Sequence, residues 1–253
     1  MNAALNIELA PLAFSARGLN KRFDRLQVLS DISLDVAQGE IVAVLGTSGC
    51  GKSTLLNILS GLLPTDHGSL SIEGVPAERF HDWQAIAYMF QEDRLLPWRS
   101  VQENIAFGLE ASSLGKSRRA QRVAQVLELV GLVPFAKAWP HQLSGGMRSR
   151  VALARSLVVE PRILLMDEPF SKLDPSTRGQ MHDELLRLHA LTGMTVVFVT
   201  HDVEEAVVLA DRVVILDPRP GRVRAVKSLT LPRPRIPTDP AVTEHVRQLR
   251  LEV

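Results

Sequence analysis

Four short runs whose residue types can handle phosphate follow one another along the 253-residue chain: Gly46-Thr-Ser-Gly-Cys-Gly-Lys-Ser-Thr54, Leu143-Ser-Gly-Gly-Met147, Ile163-Leu-Leu-Met-Asp-Glu-Pro169 and the single residue His201. In the first run, Gly46, Gly49 and Gly51 let backbone amides approach phosphate oxygens with no Cβ in the way. Successive N–H groups there form an anion nest. Lys52 is placed to reach the β and γ phosphates of a nucleoside triphosphate, and the Ser53 hydroxyl to coordinate Mg²⁺. Asp167 follows an apolar run and Glu168 follows Asp167. Successive strand side chains point opposite ways, so the two carboxylates divide their labour. Asp167 suits the Mg²⁺ side, and Glu168 is then the candidate base for an attacking water. His201 ends another apolar run, where it can meet a γ phosphate. A lone histidine is more often structural, and only the company of the other runs favours a functional role. Ser144 reads as the N-cap of a second helix start suited to phosphate. It would be an ordinary cap anywhere else; its place just before the Asp167 strand makes it informative.

These residues need elements to hold them. Ile32, Leu34 and Val36 alternate with Ser33 and Asp35, the period of a half-buried strand. Ile41 to Leu45 is a continuous, mostly β-branched run, as in a strand covered on both faces of a parallel sheet. Lys52 to Leu63 carries leucine and isoleucine at helical spacing and stops at Pro64. Strand, glycine-rich turn and helix together are the setting a phosphate loop requires. Ile163 to Met166 and Thr195 to Thr200 read as two further buried strands, each with polar residues where the apolar run stops, and open α/β sheets bind ligands at such carboxyl ends. From about Val101 to Val159 no strand pattern occurs. Arg118 to Val130 and Gly146 to Val158 read as helices, so this middle section is expected to be a helical insertion in an α/β core. Beyond a proline-rich stretch from Pro232, Ala241 to Val253 is expected to form one short helix.

Composition bounds the partners. The 29 Lys and Arg nearly cancel the 28 Asp and Glu, so no electrostatic footprint for nucleic acid follows. One cysteine, Cys50, excludes an internal disulfide and fits a reducing cytosol. Met1 to Phe14 lacks the basic start of a secretory signal, and no apolar run approaches the ~18 to 20 residues of a spanning helix. Because Cys50 lies inside the phosphate loop, its thiolate is expected to be open to alkylation and protected by the bound nucleoside triphosphate. His67, His81, His141, His182 and His189 have no comparable setting and read as structural, and no His and Cys cluster suggests zinc.

From about Phe14 to Arg224 the chain resembles the ATP-binding subunit of ATP-binding cassette transporters. The resemblance implies an α/β fold: a P-loop NTPase core with a mostly parallel sheet, an N-terminal antiparallel β subdomain and a helical subdomain inserted at about 92–160. It implies one ATPase domain over 1–229 and a short C-terminal extension over 230–253. It assigns Gly46, Thr47, Ser48, Gly49, Cys50, Gly51, Lys52, Ser53 and Thr54 as the Walker A loop, and Gln91 as the Q-loop. Ser144, Gly145 and Gly146 belong to the signature loop, Asp167 and Glu168 to Walker B, Ser171 to Asp174 to the D-loop, and His201 is the switch histidine. Phe23 falls where the family stacks an aromatic ring on adenine. ATP and Mg²⁺ are the implied cofactors, with Ser53, Gln91 and Asp167 on the metal. Two copies are expected to pack head to tail, so that Ser144 to Gly146 of one closes over ATP held by the other.

The departures are Met147 and Ser149 at positions where glutamine is frequent, Lys172 where alanine is frequent, and Phe23 in place of tyrosine. None removes a phosphate ligand or the base. Phe90-Gln-Glu-Asp-Arg-Leu-Leu-Pro-Trp98, Gly145-Gly-Met147 and Asp217-Pro-Arg-Pro-Gly-Arg222 are similar to import ATPases for nitrate, taurine and aliphatic sulfonates. That branch implies integral membrane permease subunits, an extracytoplasmic solute-binding protein and a peripheral place on the cytoplasmic face of the membrane, without nucleic acid. Leu95, Leu96 and Trp98 are either core residues or a docking surface for the membrane partner. A cassette ATPase acting on DNA or ribosomes would bring a long coiled coil or a second cassette. A GTPase would bring an Asn-Lys-x-Asp loop, and a small-molecule kinase would leave Leu143 to Met147 unexplained.

Overall fold

A computed structural model describes residues 11–253. In chain order the elements are β1 (Leu12–Phe23), β2 (Leu26–Ala37), β3 (Ile41–Leu45), α1 (Lys52–Leu59), β4 (His67–Ile72), β5 (Val75–Pro76) and β6 (Ile86–Met89). There follow α2 (Val101–Phe107), α3 (Lys116–Leu129), α4 (Gly145–Leu157), β7 (Ile163–Asp167), α5 (Pro175–Thr192), β8 (Thr195–Thr200) and α6 (Val203–Leu209). The chain closes with β9 (Arg212–Asp217), β10 (Arg222–Ser228) and α7 (Pro240–Arg250). Of the expectation placed on Met1 to Phe14, the first ten residues lie outside the described residues.

One sheet is antiparallel, in the order β2-β1-β4-β5. The other runs β10-β9-β3-β8-β7-β6, parallel from β6 to β9 with β10 antiparallel at its edge. Alternation within the parallel strands separates two apolar layers. Val42, Val44, Leu165, Val197 and Val199 pack with Leu55, Leu56 and Leu59 of α1 and with the antiparallel sheet. Ile41, Ala43, Leu45, Leu164, Met166, Val196 and Phe198 pack on the other side with residues of α2 to α7. All five residues of β3 are buried because both faces are covered, which accounts for its unbroken apolar run.

The helix after the phosphate loop is shorter than its leucine spacing suggests. It ends at Leu59, and Gly61 turns the chain at φ +73°, which leaves Leu62 exposed instead of extending the helix to Leu63. Helices α2, α3 and α4 all lie between β6 and β7. Ser100 caps α2 by accepting from Glu103 N, while Glu103 returns a carboxylate to Ser100 N at 2.7 Å, a reciprocal start worth about 1 kcal/mol.

The C-terminal segment packs into the same apolar layer. Val242, Val246 and Leu249 share one face of α7 and are buried. Arg235, only 5% exposed, donates from Nη1 to Val207 O at 2.7 Å and Ala210 O at 2.5 Å, and from Nε to Leu231 O at 3.0 Å. Arg233 donates to Leu209 O at 2.5 Å and pairs with Asp211 at 2.8 Å. The two arginines thereby satisfy carbonyls left open at the end of α6.

Candidate active site

The carboxyl ends of β3, β7 and β8 carry the phosphate loop, Asp167 with Glu168, and His201 respectively. Thr47, Ser48 and Gly49 are exposed at the loop's crest, whereas Gly46 and Cys50 are buried at its foot. Gly51 is the N-cap of α1 at φ +96°, a conformation costly for any residue with a Cβ. Lys52 is the first helical residue and is 5% exposed. Its Nζ donates to Gly46 O at 2.7 Å and Thr47 O at 3.0 Å, which holds the cation within the curve of the loop. Gly46 is demanded by packing as well, since a Cβ there would lie 2.7 Å from Cys50 Sγ and 2.9 Å from Leu216 O.

The Cys50 side chain corrects the expectation of a reactive thiolate. It is fully buried and packs into the apolar layer under the loop, and burial pushes its thiol up, only partly opposed by the charge of Lys52. The loop turns this side chain inward, while the Cys50 N–H donates to Thr47 O at 3.3 Å. The thiol therefore fills the core beneath the nest, as a small hydrophobe does.

Ser53 Oγ donates to Asp167 Oδ1 at 3.0 Å, joining the start of α1 to the end of β7. Burial pushes the Asp167 carboxyl above its ordinary range; the Ser53 hydrogen bond opposes this, and neighbouring Glu168 adds to it. Two hard oxygen donors this close suit a divalent cation. Among the described residues no group of three or more His, Cys, Asp or Glu is arranged to cage a metal. The Ser53 and Asp167 oxygens fit Mg²⁺, which takes one or two protein ligands and completes its shell from phosphate and water.

Glu168 sits at φ +43°, unusual for a residue with a side chain. Its N–H donates to Val199 O at 3.0 Å, and its carbonyl accepts from Ser171 Oγ at 2.9 Å. The Glu168 carboxylate takes partners other than those of Asp167. Glu168 Oε2 accepts from Gln91 Nε2 at 3.1 Å and lies 3.2 Å from His201 Nδ1. Gln91, Glu168 and His201 thus converge on one oxygen. Gln91, expected on the metal, makes its hydrogen bond to Glu168 here.

Ser144, Gly145 and Gly146 stand apart. Ser144 Oγ accepts from Met147 N at 3.2 Å, and Gly146 lies against Thr177 of α5. Among the described residues no hydrogen bond joins this helix start to the phosphate loop. Phe23, 46% exposed, has Lys21 Nζ 5.7 Å from its ring centroid. Leu95 is buried in the core, Leu96 is half-buried and Trp98 is 68% exposed. A cavity of about 620 Å³ opens at the opposite, amino ends of the strands beside Gly39, Arg162 and Thr195, far from these carboxylates.

Sequence reasoning missed the support behind His201. Thr200 Oγ1 donates to Glu205 Oε2 at 2.7 Å, and Asp202 caps α6 by accepting from Glu204 N at 2.8 Å. Burial pushes the Glu205 carboxyl up to about 7, with Thr200 opposing. The Asp202 cap was legible as an acidic residue before an apolar helix; the Thr200 to Glu205 contact had no local signal.

Comparison with known proteins decides the family. Residues 29–171, more than half the chain, match the family described as ABC transporter. The chain belongs to that family. It is 51% identical over 216 residues to an aliphatic sulfonates import ATP-binding protein of Xanthomonas axonopodis pv. citri, covering 85% of each chain. It is 48% identical over 201 residues to a taurine import ATP-binding protein of Escherichia coli O157:H7, covering 78% of this chain and 76% of that one. It resembles the dimeric post-hydrolysis structure of an ATP-binding cassette bound to ADP and Pi, with a TM-score of 0.75 and 29% identity over 86% of this chain and 99% of the other. This ABC transporter subunit is an ATPase, and the fold of its two sheets and helices is that of the cassette.

Proposed function

We propose that this chain is the ATP-hydrolysing motor of an importer for a small solute such as nitrate, taurine, a sulfonate or a related molecule. The relatedness to importer subunits supports the direction and the class of cargo. Phosphates of ATP would be taken by the amides of Gly46 to Thr54 and by Lys52, with Phe23 against the adenine. Ser53, Gln91 and Asp167 would hold Mg²⁺, which supplies charge neutralisation for the phosphates when bound. Glu168 orients the attacking water and accepts its proton, and His201 and Gln91 keep the carboxylate aimed. In this reading the ATPase domain spans 1–229 with its helical insertion at about 92–160, and 230–253 is an extension.

Ser144, Gly145 and Gly146 would serve the ATP of a second copy, making the working unit a homodimer. Permease subunits would receive its motion at the cytoplasmic face of the membrane, with a solute-binding protein on the other side and no nucleic acid involved. No helix among the described residues is long and apolar enough to cross a membrane, in keeping with a peripheral subunit.

The convergence of Gln91, Glu168 and His201 within 3.2 Å at the strand ends carries the reading. Glu168→Gln is expected to bind ATP normally while turnover falls roughly 10² to 10⁴-fold, the range of a lost general base. Steady-state phosphate release with parallel ATP titration checks this. Near-normal hydrolysis would remove Glu168 from the role.

A further inference from the structure

Past the last contact of the β7 and β8 ladder, where Glu168 N donates to Val199 O, the two chains separate. One becomes the loop Ser171 to Asp174, and the other carries His201 into α6. The His201 side chain is 59% exposed and meets Glu168 at 3.2 Å, so its aim depends on the backbone around it. That backbone is fixed on both sides: Asp202 N donates to Thr200 Oγ1 at 2.9 Å, and Thr200 Oγ1 donates onward to buried Glu205 at 2.7 Å. Glu168 is fixed from the other loop, through Ser171 N–H and Oγ on its carbonyl.

One side chain reaches both loops. Arg178, on the first turn of α5, donates from Nη1 to Asp202 Oδ2 at 3.1 Å and from Nη2 to Leu173 O at 3.2 Å. Its Nε is buried without a hydrogen-bond partner, 3.9 Å from Glu205 Oε1. Among the described residues no other side-chain hydrogen bond joins residues 170–174 to 200–205. The planar guanidinium can span two acceptors in a set geometry, which an ammonium on a flexible stem cannot reproduce.

We propose that Arg178 is a positioning residue for hydrolysis: it fastens the loop behind Glu168 to the strand end behind His201, so that the two side chains keep one geometry. It touches neither Glu168 nor His201 and acts through Leu173 and Asp202. The proposal rests on the catalytic reading of Glu168 given above. Misplacing a catalytic pair by an ångström slows the chemical step without changing how ATP binds, so the effect belongs in kcat.

The test uses the purified full-length chain with Arg178→Gln, Arg178→Lys, Asp202→Asn and the Arg178→Gln/Asp202→Asn double variant, assayed for kcat, KM for ATP and thermal midpoint, beside Glu168→Gln. Arg178→Gln is expected to lower kcat about tenfold to a hundredfold with KM within about twofold. Arg178→Lys, keeping a charge for Asp202 but losing the fork, should fall between wild type and Arg178→Gln. The double variant should be no slower than the slower single, because both act through one link. Losses that multiply in the double variant, a change confined to KM, or a kcat loss that a lowered thermal midpoint accounts for would overturn the proposal. If Glu168→Gln is inactive while the Arg178 variants turn over normally, the positioning role alone fails. If Glu168→Gln turns over normally, the catalytic reading fails instead.

Discussion

Helices α1 and α4 both begin in glycine-rich turns suited to phosphate, and they treat the free amides of a helix start in opposite ways. At α1 the N-cap is Gly51, which offers no side-chain acceptor, and Lys52 brings its own cation into the curve of the loop. At α4 the Ser144 hydroxyl already accepts from Met147 N. The nearest cation, Arg148, is committed to Asp93 at 3.0 Å and Leu143 O at 2.9 Å. The first start carries amides, charge and the Ser53 to Asp167 pair together. The second carries a cap and two glycines of unequal need. Gly146 is required by packing, because a Cβ there would lie 2.4 Å from Thr177 Cγ2; at Gly145 the nearest atom is Arg148 Nη2, at 4.0 Å. Among the described residues nothing crowds a Cβ at 145, so the proposed contact with the ATP of a second copy is what would ask for glycine there.

The largest expected effect breaks the self-contained start. In the proposed reading Lys52→Ala removes a charged hydrogen-bond donor to phosphate, and ATP affinity should fall about tenfold to a hundredfold. Fluorescence titration with ATP checks it; an affinity within twofold of wild type would remove α1's claim to be complete. The paired variants at α4 sharpen the contrast. Gly146→Ala should cost about 1 to 3 kcal/mol of stability through overpacking against Thr177. Gly145→Ala should stay within about 0.5 kcal/mol in denaturant melts and yet lower turnover. Equal stability losses at both positions would mean that the two glycines serve the same packing.

A smaller effect tests the buried face of α5, the helix that contacts α4. His182 of α5 is buried edge-on to Phe170, and burial with the Arg178 charge holds its imidazole down to about 4. An imidazole whose folded value lies below its ordinary 6.5 contributes fully above that pH and loses its contribution as pH falls toward about 4. His182→Leu should therefore match wild type within about 1 kcal/mol at pH 7.5 and exceed it by about 2 kcal/mol at pH 5. Urea melts at the two pH values measure the difference, and a gap that does not change with pH would contradict it.

Much of this architecture was legible because both faces of the parallel strands are covered. Ile41 to Leu45, Ile163 to Met166 and Thr195 to Thr200 read as strands from unbroken apolar runs. The long β1 and β2 were legible only at Ile32 to Val36, since their pairing shifts register at four points and interrupts the alternation. Leu62 and Leu63 misled by their spacing, which continues past the turn at Gly61. In the site, the residue types of the phosphate loop and of Asp167 and Glu168 carried their chemistry openly. The direction of the Cys50 side chain did not, because it depends on how the loop folds over the core. Arg178 was illegible for a different reason: its partners Leu173 and Asp202 lie 5 and 24 residues away, and only the tertiary fold brings them to one guanidinium.

The cap that Arg233 and Arg235 place over α6 makes the final residues part of the motor's own frame. Helix α6 starts two residues after His201, so whatever grips its far end also steadies the turn that carries the histidine. A gene trimmed at Ser228 would free four backbone oxygens, those of Val207, Leu209, Ala210 and Asp211, and uncover the seat of Val242, Val246 and Leu249. The tail is best understood as a keystone, and tags belong beyond it.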